Sequence, residues 1–226
     1  MTPPSNASFL RCALLAATLA VASTSASSAP AKPVRIQLFG DSTQWGYDGK
    51  TERPVPQPPA ALLQSAMDAR FGAGAVIVTE RAVPGTTCGQ LLAGTDGRNR
   101  PWPREVDADI IVVNHALNDS NEHVPLATYE RQLAALHPTV FETPNAITVD
   151  WPAPPYVATM RKVAARQHAP VADVDAWMRA RPDWKSLLSD DGLHPTQAGY
   201  REIVLKVLMP TLEPLVARAL KSNGAR

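Results

Sequence analysis

Apolar, strand-like runs alternate along the chain with stretches in which apolar residues recur at helical spacing. The strand-like runs are 34–39, 75–79, 109–114, 140–143 and 171–174. The helical stretches are 59–70, 126–136, 155–167 and a last one from Pro195 to about Leu220. Four consecutive β-branched residues, Ile110 to Val113, indicate a strand that is buried on both faces, as in parallel sheets. The alternation therefore predicts an α/β fold, a three-layer α/β/α sandwich around a parallel sheet.

Prolines and glycines mark the ends of several predicted helices. The helix at 59–70 begins at Pro58 and Pro59, because proline is tolerated in the first helical turn. Gly72 and Gly74 should end it. Pro210 falls inside the last helix and should kink it, because proline cannot donate the backbone hydrogen bond.

The first thirty residues differ in composition from the rest. Arg11 precedes an apolar run from Cys12 to Ala22, and small residues follow, which is the three-part pattern of a secretory signal peptide. The run has about 11 residues, too short for a bilayer span of about 20. We expect a signal peptide at 1–26, a linker at 27–33, one domain at 34–221 and a tail at 222–226. An uncleaved amphipathic helix or a disordered tail is the alternative for the first segment.

This division predicts an exported protein, periplasmic or secreted, without a membrane span.

The composition of the chain excludes several classes of function. The 226 residues carry a net charge of +1, whereas a nucleic-acid-binding protein usually shows a strong basic excess. Two cysteines cannot build a zinc cluster, and no two histidines have a helical metal-ligand spacing. We expect no metal, no cofactor and no nucleic-acid partner, which leaves an enzyme or a ligand-binding domain.

Polar residues follow the predicted strands at the points where ligands bind in parallel sheets, beyond the carboxyl ends. The first strand runs into Gly40-Asp41-Ser42, and Asp191-Gly192-Leu193-His194 opens the last helix. A serine hydroxyl needs a base to become a nucleophile, and His194 is of the right type. Asp191 precedes it by three residues and could hold the imidazole in the useful tautomer.

A tetrahedral intermediate also needs hydrogen-bond donors for its oxyanion. Three groups in the same loops could supply them: the backbone N–H of Ser42, the backbone N–H of Gly85 after the second strand, and the side-chain amide of Asn118 after the third. Each motif alone is weak. Their specificity lies in their order and in their places relative to the strands.

Taken together, these motifs resemble the SGNH (GDSL) hydrolases over about Val34 to Leu220. The matching segments are Gly40-Asp41-Ser42 for the first block, Gly85 for the second, Asn118-Asp119 for the third and Asp191-Gly192-Leu193-His194 for the fifth. The resemblance implies a flavodoxin-like α/β/α fold and a serine esterase. It also implies that Ser42 is the nucleophile, with Asp191 as acid and His194 as base. Ser42, Gly85 and Asn118 would form the oxyanion hole.

One position departs from the family pattern. The third block usually begins with glycine, and here Ala116 stands in that place. If the position requires a positive φ angle, alanine would strain the loop and misplace Asn118. If it requires only a small side chain, alanine is harmless.

Four residues near these motifs are candidates for substrate binding: Trp45, Tyr47, Trp102 and His115. Exposed aromatic rings near an active site suit stacking on sugars, although such rings are equally common in ordinary packing. His115 is either a rival base or substrate contact, or a packed loop histidine. Thr43 after the serine is weakly similar to the rhamnogalacturonan acetylesterase branch of the family.

The expected function is an exported esterase that removes small acyl groups, among them acetyl groups from a glycan. Two alternatives stay open. One is a periplasmic thioesterase or lysophospholipase with a narrow acyl pocket. The other is a non-catalytic glycan-binding domain, against which the presence of both Ser42 and His194 argues.

Overall fold

The computed structural model describes residues 32–102 and 106–224. The predicted signal peptide at 1–26 lies outside the described residues, as does the predicted linker up to residue 31. The predicted domain from residue 34 onward lies within them, apart from residues 103–105.

A parallel five-stranded sheet forms the centre of the fold. Its strands are β1 (Val34–Gly40), β4 (Val76–Glu80), β5 (Ile110–Asn114), β6 (Val140–Glu142) and β7 (Val171–Ala172). They lie side by side in the order β4-β1-β5-β6-β7. Each predicted strand is present, with its ends shifted by up to two residues. A separate antiparallel hairpin pairs two short strands, β2 (Tyr47–Asp48) and β3 (Arg53–Pro54).

Helices cover both faces of this sheet. The α-helices are α1 (Ser42–Trp45), α2 (Pro59–Phe71), α3 (Cys88–Ala93), α4 (Leu117–Asn121), α5 (Leu126–Leu136), α6 (Ala153–Arg166), α7 (Val174–Arg179), α8 (Gln197–Ile203) and α9 (Met209–Gly224). A 3₁₀ turn occupies Trp184–Leu187 and a π-helical turn occupies Val204–Leu208.

Two hydrophobic clusters lie on opposite faces of the sheet, because successive strand side chains point to opposite sides. Leu38 and Val112 belong to the cluster that also contains buried residues of α2, α8 and α9. Phe39, Val113 and Phe141 belong to the other, with residues of α3, α5 and α6. The three-layer α/β/α fold with a parallel sheet is thus confirmed.

The last helix differs in detail from the prediction. It consists of α8, the π-helical turn and α9 in succession. The π-helical turn, Val204–Leu208, therefore lies just before Pro210. This placement follows from the proline ring, which crowds the carbonyl four residues earlier and removes one hydrogen bond. The helix continues through Pro214 to Gly224, so the predicted tail at 222–226 begins too early.

Close packing brings the loops at the carboxyl edge of the sheet together. Gly40 pairs with Asn114 across β1 and β5, and the Val83 N–H donates to the Gly40 carbonyl at 2.9 Å. A Cβ atom at Gly40 would lie 2.6 Å from the Asn114 carbonyl oxygen and 2.6 Å from the Gln44 Cβ. Only glycine fits this position, so the sharp turn into α1 depends on it.

Among the helices of the described ranges, none has the length and apolar character needed to cross a membrane.

Candidate active site

Ser42 is the first residue of α1, directly beyond the carboxyl end of β1. Asp41 caps this helix, because its carboxylate accepts from the backbone N–H and from the hydroxyl of Thr43, both at 2.9 Å. Burial of Asp41 raises the pKa of its carboxyl group, although the bonds from Thr43 oppose the shift. After one turn, Gly46 ends the helix in the left-handed conformation at φ 86°. Ser42 is therefore held at a short, fixed helix start.

Ser42, His194 and Asp191 form a continuous hydrogen-bonded set. The Ser42 hydroxyl lies 2.9 Å from His194 Nε2, and His194 Nδ1 lies 2.7 Å from Asp191 Oδ2. A carboxylate only accepts, so Nδ1 carries the proton and Nε2 is left as the acceptor for the serine. This is the arrangement needed for a histidine to remove a serine proton.

The Asp191 carboxylate is fixed from both sides. Its Oδ1 accepts from the Ser189 hydroxyl at 2.7 Å and from the backbone N–H groups of Leu193 and His194 at 2.9 Å. Partial burial pushes the pKa of Asp191 up, but the hydrogen bonds that it accepts outweigh burial, and the pKa falls to about 2. The neighbouring Asp190 instead pairs with Lys50 on the surface, at 2.9 Å. The structure thus brings Asp191, and not Asp190, to His194.

The three proposed oxyanion donors follow strands β1, β4 and β5: Ser42 begins α1, Gly85 lies in a loop, and Asn118 lies in the first turn of α4. Gly85 has φ 74°, a left-handed conformation that glycine adopts freely, and a Cβ there would meet nothing within 4 Å. The Asn118 side-chain amide donates to the Thr86 carbonyl at 3.1 Å, which places it beside the Gly85 loop. Among the described residues, no acceptor takes the backbone N–H of Ser42 or of Gly85.

Ala116 causes no strain in the third motif. Its φ is −174°, an extended conformation that any residue adopts, and its side chain is fully buried. The position therefore calls for a small side chain rather than for a positive φ. Of the two alternatives drawn from the sequence, the harmless one holds.

Asp119 ties two of these loops together. Both oxygens of its buried carboxylate lie 3.2 Å from the backbone N–H of Cys88, so α4 is fastened to the start of α3. Burial raises the pKa of Asp119 to about 7, although the hydrogen bond from Cys88 opposes it. Burial also raises the pKa of the Cys88 thiol well above its usual range, which keeps the thiol neutral.

Two of the four substrate-binding candidates lie beside the hydrogen-bonded set. The ring of Tyr47 packs against the ring of His194, with 4.6 Å between centroids. The ring of Trp45 lies 6.2 Å from that of Tyr47. Both side chains are half-buried and keep an exposed part.

The other two candidates differ from each other. Trp102 is half-buried and packs edge-on against Phe39 at 5.2 Å, and its part in substrate binding stays a prediction. His115 is 1% exposed, so it cannot present its ring to a substrate. Burial lowers the pKa of His115 to about 4, against the pull of Asp96 and the Thr86 backbone. It is a packed, neutral loop histidine.

The carboxyl group of Glu142 is buried near the site and was not predicted from the sequence. Glu142 ends β6, is 4% exposed, and sits among other buried polar side chains at the strand ends. In this group the Asn114 amide donates to Gln44 at 3.4 Å, and the Asn145 amide donates to the Leu193 carbonyl at 2.8 Å. The sequence contained a signal for it, because Glu142 lies next to the last residue of a predicted strand, and Asn114 ends another.

Burial of Glu142 raises its pKa to about 8, while a hydrogen bond from Asn114 pulls it down and the Asp41 charge adds to the rise. The ordinary pKa of a glutamate is 4.5. Above that pH the unfolded chain has released the proton of Glu142, whereas the folded protein keeps it up to about pH 8. It follows that this group destabilises the fold progressively as the pH rises from about 4.5 to about 8.

Glu142→Gln should remove this pH dependence, because the amide keeps the shape and carries no titrating proton. Relative to the wild type, the free energy of unfolding of the variant should rise by about 3–4 kcal/mol between pH 5 and pH 8, at 1.36 kcal/mol per unit. Urea denaturation at several pH values measures the difference. Glu52→Gln, at an exposed turn, is the control for loss of one carboxylate. A pH-independent difference would contradict the prediction.

In the part of the chain that the structure describes, no three His, Cys, Asp or Glu side chains are grouped so as to hold a metal ion.

A parallel α/β sheet with a hydrogen-bonded serine, histidine and aspartate beyond its carboxyl ends defines the class of α/β serine hydrolases. The family model described as the GDSL-like lipase/acylhydrolase family matches residues 38–202. The chain belongs to this family, as the sequence motifs indicated, and is an ester-hydrolysing enzyme.

Solved structures share the fold at low sequence identity. A lipase/acylhydrolase from Enterococcus faecalis is 24% identical, with a TM-score of 0.61 over 85% of this chain and 96% of its own. An α/β hydrolase from the metagenome of Lake Arreo, Spain, is 22% identical, with a TM-score of 0.61 over 82% and 97%. An acetylxylan esterase from Geobacillus stearothermophilus is 16% identical, with a TM-score of 0.61 over 81% and 96%. A search of curated proteins finds no match.

Proposed function

We propose that the protein is an exported serine esterase that removes small acyl groups, acetyl groups on glycans among them, through an acyl-enzyme. The observation that carries the proposal is the hydrogen-bonded set in which Ser42 Oγ lies 2.9 Å from His194 Nε2. Export is part of the proposal and rests on the composition of residues 1–26. N-terminal sequencing of the exported protein should begin at Ser27.

In the first half of the reaction, His194 Nε2 takes the proton of the Ser42 hydroxyl while the oxygen attacks the ester carbonyl. Asp191 stays ionised and stabilises the imidazolium that forms. The oxyanion of the tetrahedral intermediate accepts hydrogen bonds from the N–H groups of Ser42 and Gly85 and from the amide of Asn118. His194 then protonates the leaving alcohol, and an acyl-Ser42 remains.

In the second half, a water molecule takes the place of the alcohol. His194 removes its proton while the water oxygen attacks the acyl carbon, and the same donors hold the second oxyanion. When the intermediate breaks down, the proton returns to the Ser42 oxygen and the carboxylic acid leaves. Each proton that His194 accepts is thus given back within one half of the cycle.

Three observations support a small acyl group on a sugar. The half-buried ring of Tyr47 lies beside His194 and that of Trp45 lies beside Tyr47, where the two rings could stack on a sugar face. A cavity of about 230 Å³ adjoins Ser189 and Asp190, the two residues before Asp191. Polar side chains, those of Asp48, Lys50, Ser189, Asp190, Thr196 and Gln197, form much of its lining. One structural neighbour acts, by its name, on acetylated xylan.

Activity on a panel of p-nitrophenyl esters from acetyl to dodecanoyl, run beside acetylated glycans, tests the proposal. Highest activity on the acetyl ester, with acetate released from a glycan, is the expected result. A maximum at octanoyl or longer would overturn the substrate assignment in favour of a thioesterase or lysophospholipase. A protein that hydrolyses no ester and takes no fluorophosphonate label, yet binds glycans, would be a binding domain.

Asn118→Ala should lower kcat by roughly 10²–10³, because it removes one donor to the oxyanion. KM should change little, since the amide meets the charge only after the carbonyl has been attacked. The measurement is steady-state hydrolysis of p-nitrophenyl acetate. Asn121→Ala, at the exposed end of the same helix, is the matched control and should keep wild-type kinetics. A loss below tenfold would remove Asn118 from the oxyanion hole.

A further inference from the structure

Residues 47–54, which we call the covering hairpin, lie against the two residues that would activate Ser42. The hairpin consists of β2, a turn and β3. Its fold is anchored at both ends. The Tyr200 hydroxyl donates to the Tyr47 carbonyl at 3.0 Å, and the Val55 N–H donates to the Gly46 carbonyl at 2.8 Å. The Asp48 side chain accepts from the Lys50 N–H at 2.9 Å within the turn. The hairpin is therefore a fixed surface.

Gly49 lies directly against the carboxylate of Asp191. A Cβ atom at Gly49 would lie 2.1 Å from Asp191 Oδ2 and 2.9 Å from its Cγ. Oδ2 is the oxygen that accepts from His194 Nδ1 at 2.7 Å. The backbone of Gly49 does not adopt a positive φ, so space and not conformation requires glycine here. The hairpin thus limits where this oxygen can be.

The side chain of Tyr47, in the same hairpin, packs against His194. Its ring lies 4.6 Å from the His194 ring, at an interplanar angle of 40°. Packing on one face restricts the rotation of the imidazole about its side-chain bonds, and the hydrogen bond to Asp191 restricts it further. A single element of the fold therefore contacts both the base and the carboxylate that orients it.

From these contacts we infer that the covering hairpin positions the Asp191–His194 pair, with Gly49 and Tyr47 as its positioning residues. The inference rests on the proposed function, and it assigns Tyr47 to the alignment of His194 rather than to sugar binding alone. A misplacement of about 1 Å in an active site can cost about 10²-fold in rate. Small changes in the hairpin should therefore act on kcat through the two residues beneath it.

Gly49→Ala tests the contact with Asp191. We expect kcat to fall roughly 10²-fold with KM within about twofold. Gly224→Ala, at a helix end with nothing near the added methyl group, is the glycine control and should keep wild-type kinetics.

The double variant separates positioning from a general structural effect. The Asp191→Ala variant lacks the carboxylate oxygen that the methyl group of Gly49→Ala would displace. Adding Gly49→Ala should then lower the residual rate by less than about twofold. A full 10²-fold further loss would overturn the inference.

Tyr47 provides a second route that does not depend on Gly49. Tyr47→Phe keeps the ring and should keep kcat within about threefold, whereas Tyr47→Leu should lower kcat at least about tenfold. If Tyr47 only binds substrate, Tyr47→Leu will raise KM and leave kcat unchanged, which would overturn its positioning role.

A crystal structure of Gly49→Ala gives a readout that is independent of activity. The distance from His194 Nδ1 to Asp191 Oδ2 should lengthen beyond hydrogen-bonding range. If the hairpin moves away and the 2.7 Å contact is kept, the inference is wrong even in an active esterase. If the wild type hydrolyses no ester, the proposed function fails, and this distance still decides whether the hairpin holds the pair.

Discussion

Ser42→Ala should reduce kcat/KM for p-nitrophenyl acetate by roughly 10⁴–10⁶, because no other group in the site can form the acyl-enzyme. The substitution removes one oxygen at the start of α1 and leaves the Asp41 cap and the glycine turn intact. The fold should therefore survive, with circular dichroism and thermal unfolding close to those of the wild type. The variant should also lose fluorophosphonate labelling completely.

The matched control for this variant is Ser65→Ala. Ser65 lies on the surface of α2, where its hydroxyl donates to the Ala61 carbonyl at 3.0 Å within the same helix. Its loss should leave kinetics and labelling unchanged. Esterase activity retained by a folded Ser42→Ala protein would eliminate the acyl-enzyme mechanism, whatever the result of the control.

The sequence predicted the parts of the fold that are stabilised locally and buried on both faces. The run Ile110 to Val113 is β-branched throughout and became the central strand β5. The helix that begins at Pro59 ends before Gly72, as the proline and glycine indicated. In these segments propensity, burial and end signals agree, so a single sequence suffices.

The covering hairpin and helix α4 were not predicted, because little in their own sequence stabilises them. Strands β2 and β3 have two residues each, and the hairpin depends on contacts with Tyr200 and the site. Helix α4 has the sequence Leu-Asn-Asp-Ser-Asn, which has low helix propensity. It is held by the bond between Asp119 and the Cys88 N–H, two residues that lie far apart in the chain.

The same limit explains why the burial of His115 could not be predicted from its sequence position. The order of the motifs predicted Ser42, Asp191 and His194 as site residues, because each follows a predicted strand or precedes a predicted helix. Whether an aromatic ring or an imidazole near such a motif faces solvent depends on its neighbours in space. Trp102 and His115 are packed against residues that sequence spacing does not reveal. Glu142 was missed for the opposite reason, since buried carboxylates are uncommon.

His194→Ala should be about as damaging as Ser42→Ala, with kcat/KM reduced by roughly 10⁴–10⁶. Without the imidazole, the serine hydroxyl has no base, and the leaving alcohol has no acid. The double variant, Ser42→Ala with His194→Ala, should be no slower than either single variant to within about tenfold, because residues that act as a unit are not additive. Fluorophosphonate labelling of Ser42 should slow in parallel with hydrolysis.

A matched histidine control is available at an exposed turn. His123 has φ 53°, a conformation that asparagine tolerates well, so His123→Asn should keep the fold and the full rate. If His194→Ala loses less than about a hundredfold while His123→Asn is unaffected, another group must take the serine proton. His115 could not take that role, because burial lowers its pKa to about 4 and keeps it out of contact with solvent. Such a result would therefore require a base outside the Ser42–His194–Asp191 set and would overturn the mechanism proposed for this site.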